Sequence, residues 1–177
     1  MIHPDYIAEC LKYNPCSGVL EWQERPLKHF HSAGTQKRWN SLYAGKIAGG
    51  KGVHGYIGIC VDGKMFPAHR LAYAIVMGEW PKEQIDHVNG VRDDNRWENL
   101  RAVSQSGNMR NRKLNKNNKT GVLGVYWLES RSRWLAEIKA EGSRRYLGHH
   151  KALLDAVAAR RSAESKYGYH PNHGRAA

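Results

Sequence analysis

Ile85-Asp86-His87-Val88-Asn89-Gly90 is the stretch whose reading decides the fold, with Asn99 following twelve residues after the histidine and Asn108 lying in Ser104-Gln105-Ser106-Gly107-Asn108-Met109-Arg110-Asn111. Ile85 to Val88 reads as a strand, Asn89-Gly90 as a turn and Asn99 to Val103 as a returning strand after a polar loop. Ser104 is a good N-cap for a helix carrying Asn108, Asn111 and Arg112. On a strand, neighbours leave opposite faces of the pleat, so Asp86 and His87 point different ways. That order of strand, loop, strand and helix places a carboxylate and an imidazole side by side. Phosphodiester hydrolysis needs a base to activate water and a hard cation to neutralise charge on the phosphate and leaving oxygen. Asp86 is the candidate metal ligand, and an amide oxygen from Asn108 completes the protein's share of a Mg2+ site, because that ion keeps most of its waters. Asn99 is expected to tie down the intervening loop.

Working outward toward the amino terminus, Tyr56-Ile57-Gly58-Ile59-Cys60-Val61 alternates, Asp62-Gly63 is a tight-turn dipeptide and Lys64-Met65-Phe66 returns, which is a hairpin. His69 to Met77 is a compact helical pattern closed by Gly78, with Pro81 soon after. Leu11, Tyr13, Val19 and Trp22 surround an Asn14-Pro15-Cys16-Ser17-Gly18 turn and read as a short helix and a strand. Residues 26–52 are rich in Gly, Lys, His and Ser without periodicity, and read as a basic loop.

Toward the carboxyl terminus, residues 113–120, Lys-Leu-Asn-Lys-Asn-Asn-Lys-Thr, read as a polar basic linker. Three strands are expected beyond it, around Gly124 to Trp127, Arg133 to Lys139 and Arg144 to Gly148, the last pair joined at Glu141-Gly142. A helix from about Lys151 to Tyr167 carries Ala152, Ala156, Ala159 and Ala163 at helical spacing, so it can lie close against one sheet face. Trp134, Ala136 and Ile138 are expected to face that helix. Arg133, Leu135, Glu137 and Lys139 fall on the open side. With Tyr126, Arg131, Arg144 and Tyr146 they make a mostly basic platform able to enter a major groove. Arg160, Arg161 and the His170 to His173 segment are expected on a solvated face or in a tail.

The fold class expected is α+β, a strand-strand-helix metal finger followed by a small three-stranded antiparallel sheet packed on one helix. The domains expected are residues 1–112, a linker at 113–120, a second domain at 121–170 and a tail at 171–177. The chain has 177 residues and a formal net charge of +12, which favours a polyanionic partner. Cys10, Cys16 and Cys60 are an odd count without a C-x-x-C pair, so neither a disulfide framework nor a structural zinc site is expected. No apolar run approaches the roughly 18 residues of a membrane span, and no signal peptide is read, so a cytoplasmic setting without membrane contact is expected.

Residues 55–113 resemble the HNH endonucleases of the His-Me finger superfamily, particularly phage-encoded homing-type enzymes. The resemblance rests on His69-Arg70, Asp86 to Gly90, Asp94 to Leu100 and Asn108. The last 50 or so residues resemble the plant Apetala and ethylene-response-factor DNA-binding domain, through Gly124-Val125-Tyr126, Trp134 to Ile138, Tyr146-Leu147-Gly148 and the alanine helix. The first resemblance implies His87 as general base, Asp86 and Asn108 as metal ligands and Asn99 as the residue that orients the loop. Where many relatives have histidine this chain has Asn108, whose amide oxygen suits Mg2+ or Mn2+ better than Zn2+; Asn111 remains a rival ligand. A monomer that nicks double-stranded DNA in the cytoplasm of a phage host is the expectation. Arg70, Arg96 and Arg112 are expected to contact DNA from the first domain, and Tyr126, Arg131, Arg133, Lys139, Arg144 and Tyr146 from the second. A DNA-binding regulator with an inactive finger and an RNA-directed protein remain open alternatives.

Overall fold

The computed structural model describes residues 2–109, 111, 113–115 and 117–175, without the side chains of Ser106 and Met109. The chain divides into two compact units, Met1–Gln105 and Ser106–Ala177. Both are mixed α and β, with small antiparallel sheets.

The first unit opens with helix α1 (Pro4–Cys10), whose first turn is capped by the His3 side chain on the Asp5 N–H. Strands β1 (Leu11–Tyr13) and β2 (Leu20–Trp22) form a hairpin around the Asn14 to Val19 turn. Helix α2 (Ala33–Tyr43) follows within the segment expected as a loop. The expectation failed there because α2 buries no side chain and so carries no apolar stripe. Ser32 caps it on the Thr35 N–H at 3.2 Å, and Trp39 holds it through ring contacts with Trp22, Phe30 and Tyr43.

Strands β3 (Gly50–Lys51), β4 (Ile57–Val61) and β5 (Lys64–Pro67) form a three-stranded sheet in that order. Asp62 and Gly63 both have positive φ, 48° and 75°, as a two-residue hairpin turn demands. Helix α3 (Ala68–Met77) ends at Gly78 in the left-handed conformation. Strands β6 (Gln84–His87) and β7 (Leu100–Val103) pair antiparallel, with Asp86 opposite Arg101 and His87 opposite Leu100. One core joins these pieces. Ile7, Leu11 and Leu20 from the amino-terminal segment pack with Ile59, Val61, Leu71, Ile85 and Leu100.

Helix α4 (Gln105–Met109) spans the division between the units and is a single short turn of chain; Asn111 lies beyond it in a turn, and Arg112 is outside the described residues. In the second unit, β8 (Val125–Leu128), β9 (Arg133–Ala140) and β10 (Ser143–His150) form an antiparallel sheet with β9 central. Glu141 and Gly142 turn the last pair with φ of 53° and 77°. A bulge at Leu147 shifts the register of β10 by one residue. Helix α5 (Leu153–Lys166) covers one face, where Ala156 packs with Val125 and Ala136, and Trp134, Leu147, Leu153 and Val157 surround them.

Residues 113–120 belong to this second unit. The Asn118 carboxamide oxygen accepts from the N–H of Gly121 at 2.7 Å, Thr120 Oγ1 donates to the Val125 carbonyl at 3.0 Å, and the Leu114 N–H donates to the Arg175 carbonyl at 2.9 Å. The unit corrects an expectation at its carboxyl end. Arg160 and His173, expected in solvent, are each 4% exposed. Arg160 lies beside Gly124, where a Cβ would come within 2.8 Å of its Nη1, and donates to Glu164 at 2.9 Å, to the Glu137 carbonyl at 2.5 Å and to His173 Nε2 at 3.2 Å, under the Tyr169 ring. Each nitrogen of the guanidinium thereby makes a hydrogen bond, which offsets much of the cost of burying it.

Candidate nuclease finger and nucleic-acid interface

His87 projects inward from β6 and is 4% exposed. Its Nε2 lies 3.1 Å from Asn95 Oδ1, within hydrogen-bond distance. Asn95 is itself buried, and its carbonyl accepts the Tyr13 hydroxyl at 2.7 Å. A residue of the first hairpin thus fixes the partner of a histidine 74 positions later.

Asp86, one residue back, faces the other way. Its Oδ2 accepts Arg101 Nη2 at 2.9 Å and Nε at 3.3 Å, across the β6–β7 pair. The carboxylate is 12% exposed at its side chain. In kind it fits a hard divalent cation, which takes one or two carboxylates with water and phosphate oxygens. Among the described residues no three His, Cys, Asp or Glu side chains gather into a cage. Asn108 lies on α4. Asn111 is buried in the second unit, where its carbonyl and side-chain oxygens accept Arg175 Nη1 at 2.6 and 3.0 Å.

The loop between β6 and β7 is held by side chains instead of strand pairing. Asn99 Oδ1 accepts the Asn89 N–H at 2.9 Å, and Asn99 Nδ2 donates to the Asp94 carbonyl at 2.7 Å. The Asp94 carboxylate accepts Arg96 Nε at 2.9 Å, Arg96 Nη2 at 2.8 Å and Asn89 Nδ2 at 2.7 Å. The Arg96 guanidinium holds the Asp94 carboxyl well below the usual carboxylate range. Arg96 also donates to Glu98 at 2.8 Å, so its charge is committed to two acids. Arg70 donates to the Pro81 carbonyl at 3.2 Å and pins α3 to the approach to β6.

His69, near the start of α3, packs edge-on against His87 with ring centroids 5.0 Å apart. It is 9% exposed, and its Nδ1 has no hydrogen-bond partner among the described residues. Burial first, then the neighbouring His87 and Arg70, pushes its pKa down to about 4. Tyr56 lies against both rings, 5.4 Å from His69 and 5.9 Å from His87. Sequence reasoning missed Asn95, Arg101 and Tyr56 as parts of this site. The signal for Arg101 was present, since it stands opposite Asp86 once the strand register is written down.

In the second unit the open face of the sheet is built in register. Tyr126 and His149 flank Leu135, Tyr146 stands opposite Glu137, and Arg144 opposite Lys139. Leu135 is only 5% exposed there, between its two ring-bearing neighbours. Tyr126 donates its hydroxyl to Glu137 at 3.1 Å, and Arg144 Nε lies 3.6 Å from the same carboxylate. Burial and that carboxylate raise the Tyr126 pKa. Arg131 Nη1 is 3.2 Å from His149 Nε2, Arg133 is half-buried, and Lys139 and Tyr146 are exposed. No helix among the described residues is long and apolar enough to cross a membrane.

An HNH endonuclease family model matches residues 66–110, from β5 through the finger and α4. Protein 3.8 of Escherichia phage T7 is 32% identical over 74 residues, 42% of this chain. The chain spans 60% of the length of that phage protein. No solved structure matches the chain.

Proposed function

We propose that this chain is a divalent-metal-dependent DNA endonuclease that nicks duplex DNA as a monomer, within a phage-infected host. The observation that carries the reading is the pair on β6: an imidazole held against Asn95, next to a carboxylate aimed the other way. His87 takes a proton from water attacking phosphorus. Asp86 would hold Mg2+ or Mn2+, and the finger motif offers the amide oxygen of Asn108 as its second ligand. When bound, that cation neutralises charge on the scissile phosphate and the leaving 3′-oxygen. Asn99 keeps the loop closed, so that Asn95 stays in place against His87. The open sheet of the second unit, similar to the Apetala type, supplies affinity through Tyr126, Arg131, Arg133, Lys139, Arg144 and Tyr146. Arg70 and Arg96 would add phosphate contacts from the first unit, though the carboxylates on Arg96 reduce its share, and Arg112 is proposed from the sequence alone, since it lies outside the described residues.

The test is cleavage of supercoiled plasmid with Mg2+, Mn2+ or EDTA, comparing wild type with His87→Ala. Open circles that need metal and vanish in the variant support the reading. Full cleavage by His87→Ala refutes the base assignment. A second reading, a DNA-binding regulator with a silent finger, is favoured by the burial of His87 and by the Arg101 guanidinium already on Asp86. It requires tight duplex binding with no cleavage in any metal.

A further inference from the structure

Three arginines stand in the finger loop and its return strand. Arg96 is spent on Asp94 and Glu98, and Arg101 on Asp86. Arg92 has no carboxylate within ion-pair distance among the described residues. It is exposed, donates Nη1 to the His54 carbonyl at 2.8 Å, and lays its guanidinium 5.0 Å from the Tyr56 ring centroid. Lys51, nearby, is neutralised by Asp93 at 2.6 Å. Tyr56 is 38% exposed, the most open member of the ring cluster around His87. A path therefore leads from the buried imidazole to the surface in two steps, 5.9 Å to the Tyr56 ring and 5.0 Å on to the Arg92 guanidinium.

A planar ring backed by an arginine, with its outer edge in solvent, is suited to a sugar and the phosphate beside it. The tie between Arg92 and the His54 carbonyl uses one amino group and leaves the remaining guanidinium donors at the surface. It also fixes the guanidinium on the ring, so little rotamer freedom is lost on contact.

Resting on the nuclease reading above, we propose that Tyr56 and Arg92 are a positioning pair for the nucleotide next to the scissile phosphate, the ring supporting its deoxyribose and the guanidinium holding its phosphate. Tyr56 acts through placement, since the proton transfer belongs to His87.

The experiment has two arms. In EDTA, binding of a fluorescein-labelled DNA duplex is measured across a salt series for wild type, Arg92→Ala and Arg92→Lys. Loss of one phosphate contact lowers the slope of log K against log salt by about 0.9. Arg92→Ala should show that drop and Arg92→Lys should not. In the second arm, steady-state cleavage is measured for Tyr56→Ala and Tyr56→Phe with Mg2+. Tyr56→Phe should stay near wild type, while Tyr56→Ala loses about tenfold in kcat/KM. An unchanged slope in Arg92→Ala, or a slope lost equally in Arg92→Lys, overturns the phosphate contact. Wild-type kinetics in Tyr56→Ala overturn the role of the ring. If wild type binds but never cuts, the nuclease reading falls, and the slopes in EDTA still decide whether Arg92 touches the backbone.

Discussion

Replacing Asn99 by alanine removes two hydrogen bonds at once, the one it accepts from the Asn89 N–H at 2.9 Å and the one it donates to the Asp94 carbonyl at 2.7 Å. Asn99 is 5% exposed, while Asn89 and Asp94 are half-buried. Each orphaned backbone group costs about 1–2 kcal/mol in such a setting, the lower part of the usual range, so the first unit should lose about 2–4 kcal/mol. For a unit of this size that is a fall in Tm of roughly 10–20 °C. The β6–β7 pairing itself should survive, because the Asn99 backbone carbonyl still accepts the Val88 N–H. Asn99→Asp keeps the acceptor and loses the donor, so it should fall between alanine and wild type. The assay is urea unfolding, with hydrogen exchange at the Asn89 amide as the local probe. Loss of protection at Asn89 with a cleavage rate lowered in parallel is expected, since Asn95 rides on the same loop. An alanine variant within about 0.5 kcal/mol of wild type and with the Asn89 amide still protected would refute the idea that this side chain closes the loop.

Acid should weaken the first unit through His69: its folded pKa of about 4 lies below the ordinary 6.5, so the unfolded chain protonates first and stability, full above 6.5, falls as pH drops toward 4. His69→Phe should flatten that part of the curve, read from urea midpoints across the window. In the second unit, Arg160→Ala strands the buried Glu164 carboxylate with Arg161 as its remaining arginine partner, and should cost about 3–5 kcal/mol, seen by calorimetry as a lowered transition for that unit. Asp86→Asn should abolish metal-dependent cleavage while shifting the fold by less than about 1 kcal/mol, because its Arg101 partner is one-third exposed and can turn to water; plasmid cleavage and thermal melts check both halves.

The elements that sequence made legible are those whose information is local. Asp62-Gly63 and Glu141-Gly142 need positive φ at both positions, and Gly78 needs the left-handed region, so the chain carries its own punctuation there. The order of carboxylate, imidazole and asparagine along the finger was equally readable, and the match to an HNH endonuclease model falls on that segment. What could not be read depends on distant partners. The Tyr13 hydroxyl meets the Asn95 carbonyl across 82 residues, and neither residue has a local pattern that announces it. Helix α2 buries nothing, so periodicity had no stripe to find. Arg160 looked like a surface charge, since burial of an arginine is set by the acceptors around it, here Glu137, Glu164 and His173.

The first hairpin bears on how this finger can be moved between proteins. Its Gly18 sits against the finger backbone so closely that a Cβ would lie 2.5 Å from the Arg96 nitrogen, and the Trp97 N–H donates to the Pro15 carbonyl at 2.9 Å. Two short strands joined by a long loop are marginal alone. A graft cut at residues 66–110 would leave behind both the splint that braces the loop and the apolar side chains Ile7, Leu11 and Leu20 that complete the core. The portable piece is longer than its recognisable signature, and recombination that preserves activity has to break the chain before α1 or after the finger, not between the hairpin and the strand that bears His87.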